Sequence, residues 1–346
     1  MDICSYLPKV EAYLIKADLA DVPGWESDLP WELRPLAQGE YNMNFLLEQG
    51  SRQWVFRVNI DTQIGSENQI RYEYDTLAML AGSSFTPKPY FIDDTQSHFD
   101  HGVLIMEYIA GDALVYQRDI EKAAGLFAGI HQYSHEIADG RHLIVEQNPL
   151  SMTYDECARL LDIYFSSPIA KDEVRAYLEH VIDWASKARQ RESYFHENPW
   201  WCVINTEVNS SNFIVNRETG SIHLVDWEKP LWGDPSQDLS HFSVPTTTLW
   251  KTDYRMGLKE RQGFLDAYRQ AINDESLAET IEERVNLRDP FNCLRGVSWC
   301  AMAWVRYRSG KHALQNADTF AKLDMYLDIN FLHSLFDTVL EGKEMQ

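Results

Sequence analysis

Residues 200–242, WWCVINTEVNSSNFIVNRETGSIHLVDWEKPLWGDPSQDLSHF, decide how the rest of this chain is read. The stretch reads as strand, polar loop, strand, turn, strand, then an acid-rich loop opening a helix. VIN (203–205) and NFIV (212–215) are short apolar runs either side of a polar loop, and Glu218-Thr219-Gly220 supplies a turn before IHLVDW. Asn212 therefore sits where a loop meets a strand, and Asp226 lies at the end of the next strand. A hairpin brings its strand ends together, so an amide oxygen and a carboxylate there can share one hard cation. Mg²⁺ takes few protein oxygens of this kind, the remainder coming from phosphate and water.

The spacing carries further. Asn205-Thr-Glu207-x-x-x-x-Asn212 is followed by Asp226-Trp227-Glu228 and then by Gly233-Asp234-Pro235-x-x-Asp238-Leu239. This order resembles the catalytic core of the aminoglycoside phosphotransferase and choline kinase superfamily, distant relatives of protein kinases. Two residues depart from the family pattern: Asn205 stands where it has His, and Glu207 where it has the catalytic Asp. The resemblance spans about residues 34 to 320, with its specific motifs in the central segment. It implies an α+β, two-lobed, protein-kinase-like fold. A small antiparallel β lobe with one helix (1–107) would carry the nucleotide phosphate loop and hinge strand. A larger, mainly helical lobe (108–346) would carry the catalytic and metal loops.

Composition bounds the function class. At 346 residues, 45% hydrophobic and 24% charged, the chain resembles an ordinary soluble globular protein with a sizeable core. MDICSYLPKVEAYLIKADL lacks a basic n-region followed by an apolar stretch, and no run approaches a membrane span. Neither insertion nor secretion is expected, and the expected location is cytoplasmic. Five cysteines without a Cys-x-x-Cys pair read as reduced thiols. With 31 Lys and Arg against 53 Asp and Glu, the formal charge is −22. That sign repels nucleic-acid backbone and favours cationic partners; solubility alone explains it equally well.

Upstream, residues 1–32 read as an amphipathic helix and a Pro/Gly-punctuated link, and WELRPLAQGEYNMNFLLEQGSRQWVFRVN as a three-stranded meander. By resemblance, the first turn, with Gly39, Glu40, Asn42 and Asn44, covers the nucleotide phosphates through exposed backbone N–H groups. Alternation in WVFRV sends Arg57 to the face of Val55, opposite Trp54, Phe56 and Val58. The resemblance makes Arg57 the phosphate-pairing cation and Glu73, on the following helix, its carboxylate partner. Met106-Glu107-Tyr108-Ile109 resembles the hinge, where backbone groups of Glu107 and Ile109 would meet an adenine edge.

From Tyr116 the periodicity turns helical. His131 and His135 share a helix face but lack a third ligand and read as structural or surface histidines. Asp172 or a neighbour is the expected cap of the helix DEVRAYLEHVIDWASKARQRE, and 290–310 and 318–340 are further helical stretches. Cys293, Val297, Cys300 and Trp304 form an apolar stripe that suits a core or a pocket wall.

The resemblance implies phosphoryl transfer from ATP or GTP to a hydroxyl of a small acceptor, a cationic one being a reading of the charge. Asn212 and Asp226 would hold Mg²⁺, with Glu228 adding a ligand or orienting water. Asp238 would accept hydrogen bonds from the catalytic loop, and Asp234 would serve substrate or helix cap. Glu207 would take the acceptor's proton. Its extra methylene leaves two readings open: a kinase with a displaced base, or a nucleotide-binding pseudokinase with a regulatory or scaffold role.

Overall fold

A computed structural model describes residues 3–39, 41–62, 65, 68–137, 142–310 and 317–343. The elements begin with α1 (Ile3–Leu14), β1 (Glu32–Gln38), β2 (Asn42–Gln49), β3 (Arg52–Asn59), α2 (Gln69–Leu80), β4 (Pro89–Asp93), β5 (Val103–Glu107) and β6 (Asp112–Ala113). Then come α3 (Tyr116–Ile137), α4 (Pro149–Phe165), α5 (Asp172–Ala188), α6 (Ser193–Glu197), β7 (Cys202–Ile204), β8 (Phe213–Val215), β9 (Ile222–Leu224) and β10 (Leu231–Gly233). The chain ends with α7 (Ser236–Ser243), α8 (Pro245–Lys251), α9 (Leu258–Ala271), α10 (Glu275–Arg308), α11 (Ala317–Tyr326) and α12 (Ile329–Leu340). This is the α+β architecture expected, with an antiparallel N-terminal sheet and a mainly helical C-terminal part.

Two compact units result. One joins Met1–Ala113, Asp139–Leu143 and Asn212–Pro230; the other joins Leu114–Ala138, Ile144–Ser211 and Leu231–Gln346. The expected boundary at 107/108 assigned the metal loop to the C-terminal lobe. The hairpin carrying it instead packs within the first unit. Leu224 N donates to Phe85 O at 2.8 Å, and Asp226 and Glu228 reach Arg57 and Asn42.

In the first unit the sheet order is β1-β2-β3-β5-β4, all neighbours antiparallel. Pro35 lies in β1, an edge strand where a missing N–H is tolerated, and the register shifts just after it. Trp54, Phe56 and Val58 of β3 join Tyr6, Val10 and Tyr13 of α1 in one apolar core. The alternation thus leaves Arg57 on the other face, as the pattern predicts. β8 and β9 form a hairpin with β6 added at its edge, pairing Phe213 with Leu224. Gly111, at φ +153°, passes so close that an added Cβ would lie 2.7 Å from Val215 O. Only glycine suits both the angle and the space.

The second unit is organised around α10, whose 34 residues span about 50 Å. The sequence reading began this helix at Pro290, but it starts at Glu275 and runs through the proline. An interior proline costs ~3 kcal/mol, offset here by dense burial of the residues around it. Two stripes explain that burial. Cys293, Val297, Cys300 and Trp304 pack into the core, which decides for core over pocket wall. Arg284, Arg288, Asn292 and Arg295, spaced by four, four and three, form a polar row on another face.

One boundary differs from the sequence reading. Residues 318–340 are not one helix: Asp328 interrupts them and accepts from Asn330 N and Phe331 N, capping α12. Of the expected caps of α5, Asp172 or a neighbour, it is the neighbour Lys171 that holds the extended cap position, and Asp172 lies inside the first turn. There its charge still suits the helix N-terminus. β10, which the sequence reading left within a loop, pairs antiparallel with β7, Trp232 opposite Val203. Among the described residues, no helix is long and apolar enough to cross a membrane.

Candidate active site

In the first unit, β2, β3, α2 and the β8–β9 hairpin converge on one guanidinium. Arg57 Nη1 donates to Glu73 Oε1 at 2.5 Å and to Asp226 Oδ1 at 3.0 Å, and its Nε donates to Asn44 Oδ1 at 2.9 Å. The Arg57 and Glu73 side chains are 5% and 2% exposed, against 30% for Asp226. Glu73 also accepts from the Trp227 backbone. Burial pushes the Glu73 carboxyl up while the guanidinium opposes it. Arg57 stays charged: burial alone would lower its pKa, but Glu73, Asp226 and Glu228 together raise it. Trimming one partner of such a buried pair typically costs about 3–5 kcal/mol.

Asp226 sits at φ +67°, a region that Asp tolerates better than most residues. Val225 N donates to Asn212 O at 2.8 Å, so the amide-bearing residue and the strand end before Asp226 are tied together. In chemistry, the Asn212 amide oxygen and the partly exposed Asp226 carboxylate are hard oxygens of the kind Mg²⁺ takes. Glu228 is differently engaged: Asn42 Nδ2 donates to its Oε2, and Gln69 Nε2 donates to its backbone O at 3.1 Å. Asn42 in turn accepts from Asn59 Nδ2 at 3.1 Å. Asn42 thus anchors Glu228 at the start of β2.

The remaining expected nucleotide contacts read less simply. Gly39 N donates to Asn42 O at 2.9 Å, which commits that N–H to closing the turn instead of exposing it. An added Cβ at Gly39 would meet nothing nearer than 3.6 Å, so the turn does not require glycine there. Glu40 lies outside the described residues. Glu107 N donates to Lys88 O at 2.8 Å, pairing β5 with the segment before β4, and Ile109 is half-buried in the irregular stretch after β5.

In the second unit the loop after β7 is bolted by one carboxylate. Asp238 of α7 accepts from Asn205 N at 2.8 Å and from Thr206 N at 2.9 Å. Asn205 Oδ1 accepts from Glu207 N at 2.9 Å, so the asparagine braces the loop. Thr206 is held at φ +70°. A β-branched residue there is a true outlier, kept only where surrounding bonds over-determine it. His131 Nδ1 lies 3.0 Å from the Tyr268 hydroxyl, and Nε2 lies 3.5 Å from Asp238 Oδ2. His135 Nδ1 meets Trp201 O at 2.8 Å, so both histidines are structural.

Asp234 accepts from Ser236 N at 3.0 Å and pairs with Arg284 of the polar row on α10. Arg288 binds Glu146, with Nη1 at 2.8 Å from Oε1. Asn292 Nδ2 donates to Ser240 Oγ at 2.9 Å. The last member, Arg295, donates to Glu207 Oε1 at 3.1 Å. Sequence reasoning missed this row; its signal was the four-, four- and three-residue spacing of Arg284, Arg288, Asn292 and Arg295.

A model of the phosphotransferase enzyme family matches residues 32–279. The chain belongs to that family. Its fold is similar to that of a putative aminoglycoside phosphotransferase from Ralstonia eutropha JMP134, at 16% identity, TM-score 0.66 and coverage of 98% and 99% of the two chains. A choline kinase from Cryptosporidium parvum Iowa II gives 11% identity and TM-score 0.69, covering 95% and 96%. A microcompartment-associated aminopropanol kinase gives 17% and 0.66, covering 95% and 97%. No curated protein matches.

Proposed function

We propose that this protein transfers the terminal phosphate of ATP, or of GTP, to a hydroxyl of a small cationic acceptor such as an amino alcohol. The observation that carries the reading is the Arg57 guanidinium, buried between Glu73 and Asp226. A buried arginine held in one rotamer by a carboxylate suits phosphate charge. Membership of the phosphotransferase family supports the reaction class. The −22 charge, and kinases of choline and aminopropanol among the structural neighbours, support the acceptor class.

In this reading Asn212 and Asp226 would hold Mg²⁺, and Glu228 keeps the adjoining loop in register through Asn42. Bound there, Mg²⁺ would neutralise charge on the phosphate oxygens. Arg57 adds a fixed positive charge, and Glu73 keeps it aimed. Glu207 accepts the acceptor's hydroxyl proton and orients that oxygen for in-line attack.

The test uses the full chain with MgATP and MgGTP against choline, ethanolamine, 1-amino-2-propanol, aminoglycosides and neutral sugars. Glu207→Gln is expected to abolish turnover while leaving nucleotide affinity intact, because an amide cannot take the proton. Wild-type turnover in Glu207→Gln would end the base assignment. If neither nucleotide raises the melting temperature at millimolar concentration, the nucleotide-site assignment fails. Tight MgATP binding without turnover on any acceptor would favour a regulatory, non-catalytic role.

A further inference from the structure

Glu207 lies one methylene further from its backbone than an aspartate would, yet its backbone is bolted where Asp238 and Asn205 hold the loop. Something must fix the longer side chain. Arg295 meets that need. Its Nη2 donates to Glu207 Oε1 at 3.1 Å, its Nη1 donates to Thr206 O at 3.1 Å, and its Nε donates to Glu156 Oε2 of α4 at 3.1 Å. His241 Nδ1 lies 3.4 Å from Nη1. The Arg295, Glu156 and Glu207 side chains are 12%, 28% and 27% exposed, so the guanidinium is more enclosed than either acid.

One planar cation therefore spans three acceptors: a carboxylate on a helix outside the loop, the carbonyl of the strained Thr206, and the candidate base itself. The guanidinium fork has fixed donor directions, so anchoring its Nε edge on Glu156 sets where the Nη edge points. A lysine, carrying a point charge on a flexible stem, cannot transmit that orientation.

We propose that Arg295 is the positioning residue that adapts this catalytic loop to glutamate, with Glu156 as its anchor. The inference rests on Glu207 being the base. Arg295 does not touch the reacting atoms; it fixes the rotamer of the group that does. Aspartate at 207 would fall short of the guanidinium, so residues 207 and 295 form a matched pair.

The experiment combines kinetics with crystallography on Arg295→Met, Arg295→Lys, Glu156→Gln, Glu207→Asp, the Arg295→Met/Glu207→Asp double variant and Glu207→Gln. Turnover is followed as ADP release from MgATP with choline, ethanolamine or 1-amino-2-propanol, and with water as the acceptor of last resort. Arg295→Met should lower kcat ~100-fold, the cost of an ångström-scale misplacement, with KM for MgATP unchanged. Glu156→Gln should give a smaller loss of the same kind, and Arg295→Lys should rescue only part of kcat. The double variant should be no worse than either single one, because both remove the same contact. In crystals of Arg295→Met the Glu207 carboxylate should leave its present position.

Wild-type kcat in Arg295→Met overturns the proposal, as does a Glu207 carboxylate that stays put without Arg295. Additive losses in the double variant, or a matching rise in KM for MgATP, would mean that Arg295 only supports the fold. If Arg295→Met does not fold, Arg295→Lys and Glu156→Gln carry the same test. Glu207→Gln separates the two failures. Its full activity removes the base reading itself, whereas an inactive Glu207→Gln beside a fully active Arg295→Met removes only the role of Arg295.

Discussion

Asp238→Asn isolates what holds the loop after β7. The carboxylate accepts two backbone N–H bonds, from Asn205 at 2.8 Å and Thr206 at 2.9 Å, and is 1% exposed. The amide has the same shape but only one acceptor oxygen. One loop N–H keeps a partner, and the other faces an NH₂ donor. Losing one hydrogen bond to a charged group and leaving a buried donor unpaired costs about 3–5 kcal/mol. Thr206, at φ +70°, stores about 1–3 kcal/mol of backbone strain that the freed loop can release. The expected net loss is therefore about 2 kcal/mol, within a span of about 0–4, smaller than hydrogen bonding alone predicts. Urea unfolding followed by circular dichroism measures the stability, and amide exchange at Asn205 and Thr206 reports the loop. Stability within about 1 kcal/mol of wild type, with both amides still protected, would refute the claim that Asp238 holds a strained loop.

Two further outcomes follow from groups in the same units. Burial, aided by Arg295 and opposed by Glu207 and Asp238, lowers the His241 pKa from 6.5 to about 4. Between these values the unfolded chain binds more protons than the folded one, so stability rises with pH. It is fully present above 6.5 and is lost as pH falls toward 4, by about 2–3 kcal/mol. His241→Asn should flatten that part of the unfolding-free-energy profile measured from pH 7 to 4, and an unchanged slope would rule His241 out as its source. Arg57→Met leaves Glu73 buried beside no cation and should cost about 3–5 kcal/mol in urea unfolding. By calorimetry it should weaken ATP binding far more than adenosine binding, and equal losses would reduce Arg57 to a residue of the fold.

Much of the architecture was legible as pattern. The period-two alternation of WVFRV separated Arg57 from Trp54, Phe56 and Val58, and the core formed on the side it indicated. The shift to helical periodicity at Tyr116 coincides with the first residue of α3. Where the reading failed, local signals pointed the wrong way. Pro290 looks like a helix start because proline favours first turns, yet packing carried α10 through it. Residues 318–340 look continuous in hydrophobicity, yet Asp328 finds two backbone N–H groups to cap and splits them.

The sequence by itself determined the family, through a motif order over Asn205, Glu207, Asn212, Asp226 and Asp238 that resembles the family's. It also made Arg57 and Glu73 plausible partners, because strand alternation and helix position are local properties. Only the tertiary structure decided that Asp226 shares Arg57 with Glu73, that Asn42 is spent on Glu228, and that Gly39 closes its own turn. It alone brought Arg295, 88 residues beyond Glu207 in the chain, to the glutamate carboxylate. Hydrogen bonds between residues so far apart are set by how helices pack, and no periodicity in one segment encodes the partner it will meet in another.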